Sequence, residues 1–378
     1  MNNIDQTLRA ICSEAIAQGV FSKCVIGVVG RDRKQTIIAY GDGVQENTLF
    51  DVASITKAIP TSSLALQLLD AKKISLEQRV IDIVPEIRFS DRENVLVRHL
   101  LTMTLDYNFR LSSFANGNAE DIWNAIFTTE LCSHPGERFY YTNATSILLG
   151  LVVTRVYGKP LDLLASEHFF EPLGMQRSCF LPLEHGFSRD EIVATEIQEW
   201  RGGLVHGEVH DESAFVLGHM VNVPNRSATK TSKRQRINAF VSRNQIVGSA
   251  GLFSTAPDLL QFLLMMLHNG SLDGKRYFSS AIMRQIQTNQ LTPMFFPQLS
   301  PSGQCAGLGF ELAQPRYMGR LCGTQTFGKT GFTGCVVVCD IARKLAWTIL
   351  SNATFPRRKK TPDAMNAFRA RVSESVLA

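Results

Sequence analysis

Short β-type runs lie at both ends of this 378-residue chain, and a long helical block separates them. Two runs, 24–29 and 36–40, lie near the N-terminus, and three more, 325–332, 335–339 and 345–350, lie near the C-terminus. Apolar residues at helical spacing predict an opening helix over 4–18, and the segment 361–377 predicts a closing one. The strands at the two ends are therefore expected to come together in one sheet.

This order of elements predicts an α+β protein of the α/β-sandwich type. We expect an antiparallel sheet of five strands that is built from both chain ends and flanked by the terminal helices. Residues 1–53 and 247–378 are expected to form the sheet domain, and residues 54–246 a mostly helical domain. A catalytic cleft would lie between the two.

Composition indicates a globular chain, with 44% hydrophobic and 19% charged residues. A net charge of +5 is too small to indicate a nucleic-acid partner. The basic residues concentrate in a predicted insertion, about 219–246, whose segment 226–243 contains no acid. A solvated basic loop is favoured there over a contact with nucleic acid or an anionic surface.

The eight cysteines show no CxxC pair, which favours reduced, mostly buried thiols. No apolar run is long enough to span a membrane, and the first residues lack the features of a secretory signal. A cytoplasmic protein is expected, or a periplasmic one if a leader has been removed. Its expected partner is a small-molecule acyl substrate, with no nucleic acid and no membrane.

Ser54 and Lys57 lie three residues apart at the start of a predicted helix over 54–69. This spacing places both side chains on one helix face, within reach of each other. A buried lysine whose pKa is lowered can accept the proton of a serine hydroxyl. The pair predicts a nucleophile and its base, although a helix N-cap and a surface lysine would give the same pattern.

Tyr141 and Asn143 follow a Pro-Gly turn and define a second candidate group. Tyr141 could relay a proton to a leaving group, and Asn143 could bind a substrate amide or hold Lys57. Taken alone, a packed tyrosine and a capping asparagine are the simpler interpretation.

A third group lies on a predicted strand near the C-terminus. Lys329 can offer charge to a substrate carboxylate, Thr330 a hydroxyl, and Gly331 room for a substrate backbone. The backbone N–H groups of Phe332 and Ser54 could together form an oxyanion hole.

The three groups in this order, Ser-x-x-Lys, Tyr-Thr-Asn and Lys-Thr-Gly, resemble the class C β-lactamases, D,D-peptidases and penicillin-binding-protein-like esterases. Further similar stretches, at 48–54, 76–80, 97–102, 171–175 and 251–256, extend the resemblance over residues 20–355. It implies a β-lactamase/transpeptidase-like fold and an acyl-enzyme mechanism without metal or organic cofactor. Ser54 would be the nucleophile, Lys57 and Tyr141 would share acid–base work, and Lys329 and Thr330 would bind substrate.

The chain departs from this family at three places. The residues after 97–102 begin with Met103 and not with the usual His-Thr-Ser-Gly. Lys329 stands where many esterase-like relatives have histidine, which favours a substrate with a carboxylate. The stretches 209–212 and 248–253 are separated here by the basic insertion, which is interpreted as a lid or cleft edge.

Two rival interpretations stay open. His206 and His210, with Glu212, have a spacing that invites a zinc site, but the motif lacks the glutamate that follows the first histidine in metalloproteases. A catalytically inactive binding or sensor protein on the same scaffold is the other. Within the enzyme interpretation, an esterase or amidase, with weak β-lactamase activity at most, is favoured over a dedicated β-lactamase or D,D-carboxypeptidase acting on peptidoglycan-like substrates.

Overall fold

A computed structural model describes residues 2–114, 118–218, 246–296 and 304–378. The predicted basic segment 226–243 lies outside these residues. Within them, one antiparallel sheet has six strands in the spatial order β2-β1-β12-β11-β10-β9. These strands are β1 (Cys24–Gly30), β2 (Gln35–Tyr40), β9 (Glu311–Leu312), β10 (Thr326–Thr330), β11 (Val336–Asp340) and β12 (Leu345–Ser351).

The two chain ends meet at the centre of this sheet. β1 pairs with β12 along its whole length, from Cys24 opposite Ser351 to Gly30 opposite Leu345. The predicted mixed α and β architecture with an antiparallel sheet from both ends is therefore confirmed. The sheet has one more strand than predicted, because the two-residue β9 adds to its edge beside β10.

Helices cover both faces of the sheet, because its central strands are apolar on both sides. The terminal helices α1 (Asn2–Ala17) and α11 (Asp363–Leu377) pack on one face, around Trp347. Helix α8 (Ala256–Leu267) packs on the other. It approaches so closely that a Cβ on Gly27 would lie 2.9 Å from Leu260 Cδ1.

Most of the remaining α-helices come between β2 and α8 in the order of the chain. They are α2 (Ser63–Asp70), α3 (Val97–Thr102), α4 (Ala119–Thr128), α5 (Asn143–Tyr157), α6 (Leu161–Ala165), α7 (Glu212–Gly218), α9 (Ser280–Gln287) and α10 (Pro315–Met318). The short strands outside the main sheet are β3 (Phe50–Asp51), β4 (Glu196–Gln198), β5 (Gly203–Val205), β6 (Phe253–Ser254), β7 (Ser271–Leu272) and β8 (Lys275–Arg276). The predicted domain limits at 53/54 and 246/247 stay a prediction. In the described part of the chain, no helix has the length and apolar character needed to cross a membrane.

The helix predicted over 54–69 is divided into three segments. A 3₁₀ helix (Ala53–Lys57) is followed by a π-helical segment (Ala58–Ser62) and then by α2. Ile59 departs from helical backbone angles. The physical reason is Pro60, which has no N–H to donate and restricts the residue before it.

Candidate active site

Ser54 lies in the first turn of the 3₁₀ helix, which begins two residues after the end of β3. The turn is fixed by Asp51, whose Oδ1 accepts the backbone N–H of Ala53 at 2.7 Å. Ala53 itself has a left-handed φ of 48°. Ser54 is only half-buried whereas the residues on either side of it are buried. The tight turn thus presents one hydroxyl at the surface of an otherwise closed segment.

Lys57 lies one turn after Ser54 and is only 1% exposed. Its Nζ donates to Ser54 Oγ at 2.9 Å and to the carbonyl oxygen of Ser249 at 2.8 Å. Burial lowers the pKa of Lys57 from the ordinary lysine value, against the opposing negative charges of Tyr141 and Asp211. A lysine with a lowered pKa beside a serine hydroxyl can accept its proton.

Tyr141 lies across both lysines of the candidate site. Its ring centroid is 5.4 Å from Lys57 Nζ and 4.3 Å from Lys329 Nζ. The residue as a whole is 43% exposed. Burial alone would raise the pKa of this phenol, yet the charges of Lys329 and Lys57 and contact with Ser54 bring the pKa below the ordinary tyrosine value. The structure therefore brings together the predicted nucleophile and both predicted acid–base groups.

Asn143 is the first residue of α5, whose N-cap is Thr142. Its Nδ2 donates to Asp211 Oδ2 at 2.8 Å, and the other oxygen of Asp211 accepts from Ser213 Oγ at 2.5 Å. Asn143 is thus held by a carboxylate that the sequence does not predict as part of the site. Its predicted contact with a substrate amide stays a prediction.

Lys329 extends from β10 into the same cluster, where it meets Glu311 of β9. The Nζ of Lys329 lies 2.5 Å from Glu311 Oε1. Burial would lower the pKa of Lys329, but Glu311 and Tyr141 raise it above the ordinary lysine value. The two lysines of the site therefore differ in protonation tendency, since the pKa of Lys57 is lowered and that of Lys329 is raised.

Gly331 follows β10 and packs directly on the segment that leads to Ser54. A Cβ at this position would lie 2.3 Å from the carbonyl oxygen of Val52. The glycine is therefore required by the protein's own packing, a reason different from the predicted space for a substrate backbone. Thr330, just before it, is half-buried.

The close contact at Gly331 brings the next residue, Phe332, beside the first turn of the 3₁₀ helix. Phe332 is exposed, and Ser54 is in a first turn, where backbone N–H groups lack intrahelical acceptors. Two free N–H groups that converge on a carbonyl oxygen would stabilise the negative charge that develops there. Their assignment to Ser54 and Phe332 stays a prediction.

A buried arginine from the last helix supports this loop. Arg369 donates to the carbonyl oxygens of Gly331 at 2.7 Å, Cys335 at 3.0 Å and Gly334 at 3.2 Å. These carbonyls belong to the turn between β10 and β11. Arg369 therefore links α11 to the predicted oxyanion-hole loop.

The histidines considered for a zinc site have other partners. His206 Nε2 lies 2.8 Å from the carbonyl oxygen of Ile192, whereas His210 Nε2 lies 2.8 Å from Glu196 Oε2. Arg358 contacts both Glu196 and Glu212. Within the described ranges, no group of three or more His, Cys, Asp and Glu side chains is arranged to hold a metal.

His210 instead belongs to the wall of the candidate site. Its backbone N–H donates to Asp51 Oδ2 at 2.7 Å, and its ring packs edge-on against Phe332 at 4.6 Å. The stretch 209–212 thus contacts both the turn before Ser54 and the loop after Lys329. This placement agrees with the milder interpretation of the stretch as part of the cleft edge.

Sequence reasoning missed several residues of the site: Asp51, Asp211, Ser249, Glu311 and Arg369. Each acts through a partner far away in the chain, so no local spacing indicates it. Asp51 is a partial exception, because a local signal includes it: it lies in the 48–54 stretch that resembles the family.

Comparison with known proteins gives a match over nearly the whole chain. The family model described as Beta-lactamase matches residues 11–371. The "Putative D-alanyl-D-alanine carboxypeptidase" of Escherichia coli strain K12 is 26% identical over 334 residues, which cover 81% of this chain and 69% of the relative.

Two solved structures share the fold at low sequence identity. EstCE1, described as a hydrolase with promiscuous acyltransferase activity, has a TM-score of 0.71 at 16% identity and covers 100% of this chain and 99% of its own. The octameric penicillin-binding protein homologue from Pyrococcus abyssi has a TM-score of 0.69 at 20% identity. The match covers 98% of this chain and 76% of that homologue. With the family model matched over nearly the whole chain, this protein belongs to the Beta-lactamase family and is one of its serine hydrolases.

Proposed function

We propose that this enzyme hydrolyses small esters or amides through an acyl-enzyme formed on Ser54. The observation that carries the proposal is the contact of 2.9 Å between Lys57 Nζ and Ser54 Oγ, made by a lysine that is almost completely buried. Burial favours the neutral amine, which is the form able to accept a proton.

In the first half-reaction, Ser54 Oγ attacks the substrate carbonyl carbon and its proton passes to the Lys57–Tyr141 pair. The N–H groups of Ser54 and Phe332 would receive the resulting oxyanion. The bond to the leaving group breaks, and that group takes the proton from the pair. In the second half-reaction, water repeats the sequence on the acyl-enzyme, which releases the acid and restores Ser54.

A D,D-carboxypeptidase or β-lactamase is the second candidate. It is supported by Lys329, which keeps a positive charge in the site, and by the names of the curated relatives. The esterase or amidase assignment is preferred because Lys329 is already occupied by Glu311. In either case we propose that the partner is a small acyl substrate.

A cytoplasmic location is part of the proposal, because all eight cysteines are free thiols and five of them are buried. Oxidising compartments favour disulfides, and reducing ones leave such thiols unpaired. Fractionation of the source cells tests this point, and recovery in an extracytoplasmic fraction would contradict it.

The decisive experiment compares turnover of short-chain p-nitrophenyl esters, a chromogenic cephalosporin and D-Ala-D-Ala peptides. Wild type is expected to prefer the esters, and Ser54→Ala to lose at least about 10³-fold in kcat. Ser375→Ala is the matched control, since that hydroxyl donates to the carbonyl oxygen of Arg371 in its own helix. Preference for the peptide or the cephalosporin would favour the second candidate, and turnover that persists in Ser54→Ala would overturn the proposed mechanism.

A further inference from the structure

Lys329 and Glu311 form a nearly enclosed ion pair at one end of the candidate site. Their side chains are 5% and 12% exposed, and the Nζ to Oε1 distance is 2.5 Å. The ring of Tyr141 also lies against Lys329, with its centroid 4.3 Å from the Nζ. Lys329, which the sequence predicts as a partner for a substrate carboxylate, thus already has an internal partner in Glu311.

Glu311 is held in place by contacts beyond Lys329. Its Oε2 accepts from Tyr317 Oη at 3.0 Å and lies 3.4 Å from Arg316. Burial would raise the pKa of this carboxyl, but Lys329 and Arg316 lower it below the ordinary glutamate value. The carboxylate is therefore ionised at neutral pH and fixed beside the Nζ of Lys329.

The charges around this position decide what can bind there. The opposite charges of Lys329 and Glu311 largely neutralise each other, because the pair lies in a poorly solvated region where charges interact strongly. Arg316 is 56% exposed on the outer side of Glu311, so solvent and salt screen its charge. A substrate carboxylate placed on Lys329 would either face Glu311 at close range or have to displace it.

We propose that Glu311 is a specificity-determining residue that makes this cleft select acyl substrates without a carboxylate beside Lys329, such as neutral esters. The proposal rests on the proposed hydrolase function and deepens it. Like charges placed together in an interface disfavour binding strongly. A neutral ester alkyl or amide group meets no such repulsion and can lie against the ring of Tyr141.

The test uses two esters that differ in one charge: the phenylacetyl ester of meta-hydroxybenzoate and that of methyl meta-hydroxybenzoate. Wild type is expected to show at least about tenfold higher kcat/KM for the methyl ester. In Glu311→Gln this preference is expected to fall at least about tenfold, because Lys329 loses its internal counter-charge. Glu14→Gln, which removes a surface carboxylate paired with Arg371, is the matched control and should leave the ratio unchanged.

The double variant Glu311→Gln/Lys329→Met shows whether the change runs through Lys329. In this double variant, kcat/KM for the charged ester should fall back from the higher value that Glu311→Gln alone produces. The gain persisting in the double variant would contradict a direct role of the ion pair, and an equal ratio in wild type and Glu311→Gln would overturn the proposal.

Binding to the Ser54→Ala variant, measured by calorimetry, separates this proposal from the hydrolase assignment. The methyl ester is expected to bind at least about tenfold more tightly than the charged ester, and the added Glu311→Gln change should narrow that difference. If wild type hydrolyses neither ester, the hydrolase proposal fails and the Kd ratio still decides on Glu311. Equal affinities, or no binding of the methyl ester, would overturn the role proposed for Glu311.

Discussion

The Nδ2 of Asn143 donates to Asp211 Oδ2 at 2.8 Å, which ties the start of α5 to the stretch before α7. The same carboxylate also acts on the candidate base, since its charge opposes the lowering of the Lys57 pKa by burial. Asp211 therefore joins two predicted site residues, one through a hydrogen bond and one through its field. This relationship makes the pH dependence of the enzyme testable.

The pH dependence of kcat/KM should follow the deprotonation of Lys57, the proposed base. Lys57 must be neutral to accept a proton, so kcat/KM should rise with pH, with a midpoint below the ordinary lysine value. Asp211→Asn removes a negative charge that favours the ammonium, so the pKa of Lys57 falls and the rising limb moves to lower pH. A limb that stays in place or moves to higher pH would contradict this effect of the Asp211 charge on Lys57. Glu208→Gln, a surface carboxylate paired with Arg201, is the charge control.

Gly331→Ala should disturb the site through packing alone. The new Cβ would lie 2.3 Å from the carbonyl oxygen of Val52, so the loop after β10 has to move away from the Ser54 turn. We expect a loss of about 1–3 kcal/mol in the free energy of unfolding and a clear fall in kcat. Gly323→Ala, where an added Cβ meets no atom within 4 Å, is the control. Urea unfolding of both variants checks the stability, and equal values for the two would contradict the packing argument.

Arg369→Met should weaken the loop that carries Phe332. Three backbone carbonyls, at Gly331, Gly334 and Cys335, lose a buried donor. The carbonyls of Gly331 and Cys335 each keep a backbone N–H donor, so the loss falls mainly on the carbonyl of Gly334. Leaving a buried polar group without a partner costs about 1–3 kcal/mol, so Tm should fall and kcat with it. Arg371→Met, an exposed position on the same helix, should change neither. Unchanged kcat in folded Arg369→Met would show that the loop needs no support from α11.

Much of the fold could be predicted because its signals are local. The strands at 24–30 and 345–351 are short apolar runs with clear breaks, and their pairing follows from the element order. The two-residue β9 could not be predicted, since Glu311 and Leu312 have no periodic pattern of their own. Pro60 could have indicated the break in the helix predicted over 54–69, because it removes a backbone donor.

The site shows the same division between local and distant signals. Ser54 and Lys57 are three residues apart, so their contact follows from helix geometry. Glu311 lies 18 residues before Lys329 on a different strand, and no spacing rule connects them. Arg369 reaches the loop after β10 from the last helix. Such contacts depend on how helices and strands pack, and only the three-dimensional structure contains that information.

Covalent labelling of Ser54 tests the central claim most directly. Wild type, Ser54→Ala and Lys57→Met are incubated with a fluorophosphonate, and the mass of each intact protein is measured. We predict one adduct on wild type, mapped to Ser54, none on Ser54→Ala, and labelling of folded Lys57→Met at least about 10²-fold slower. No adduct on wild type, an adduct on another residue, or full-rate labelling of Lys57→Met would contradict the account.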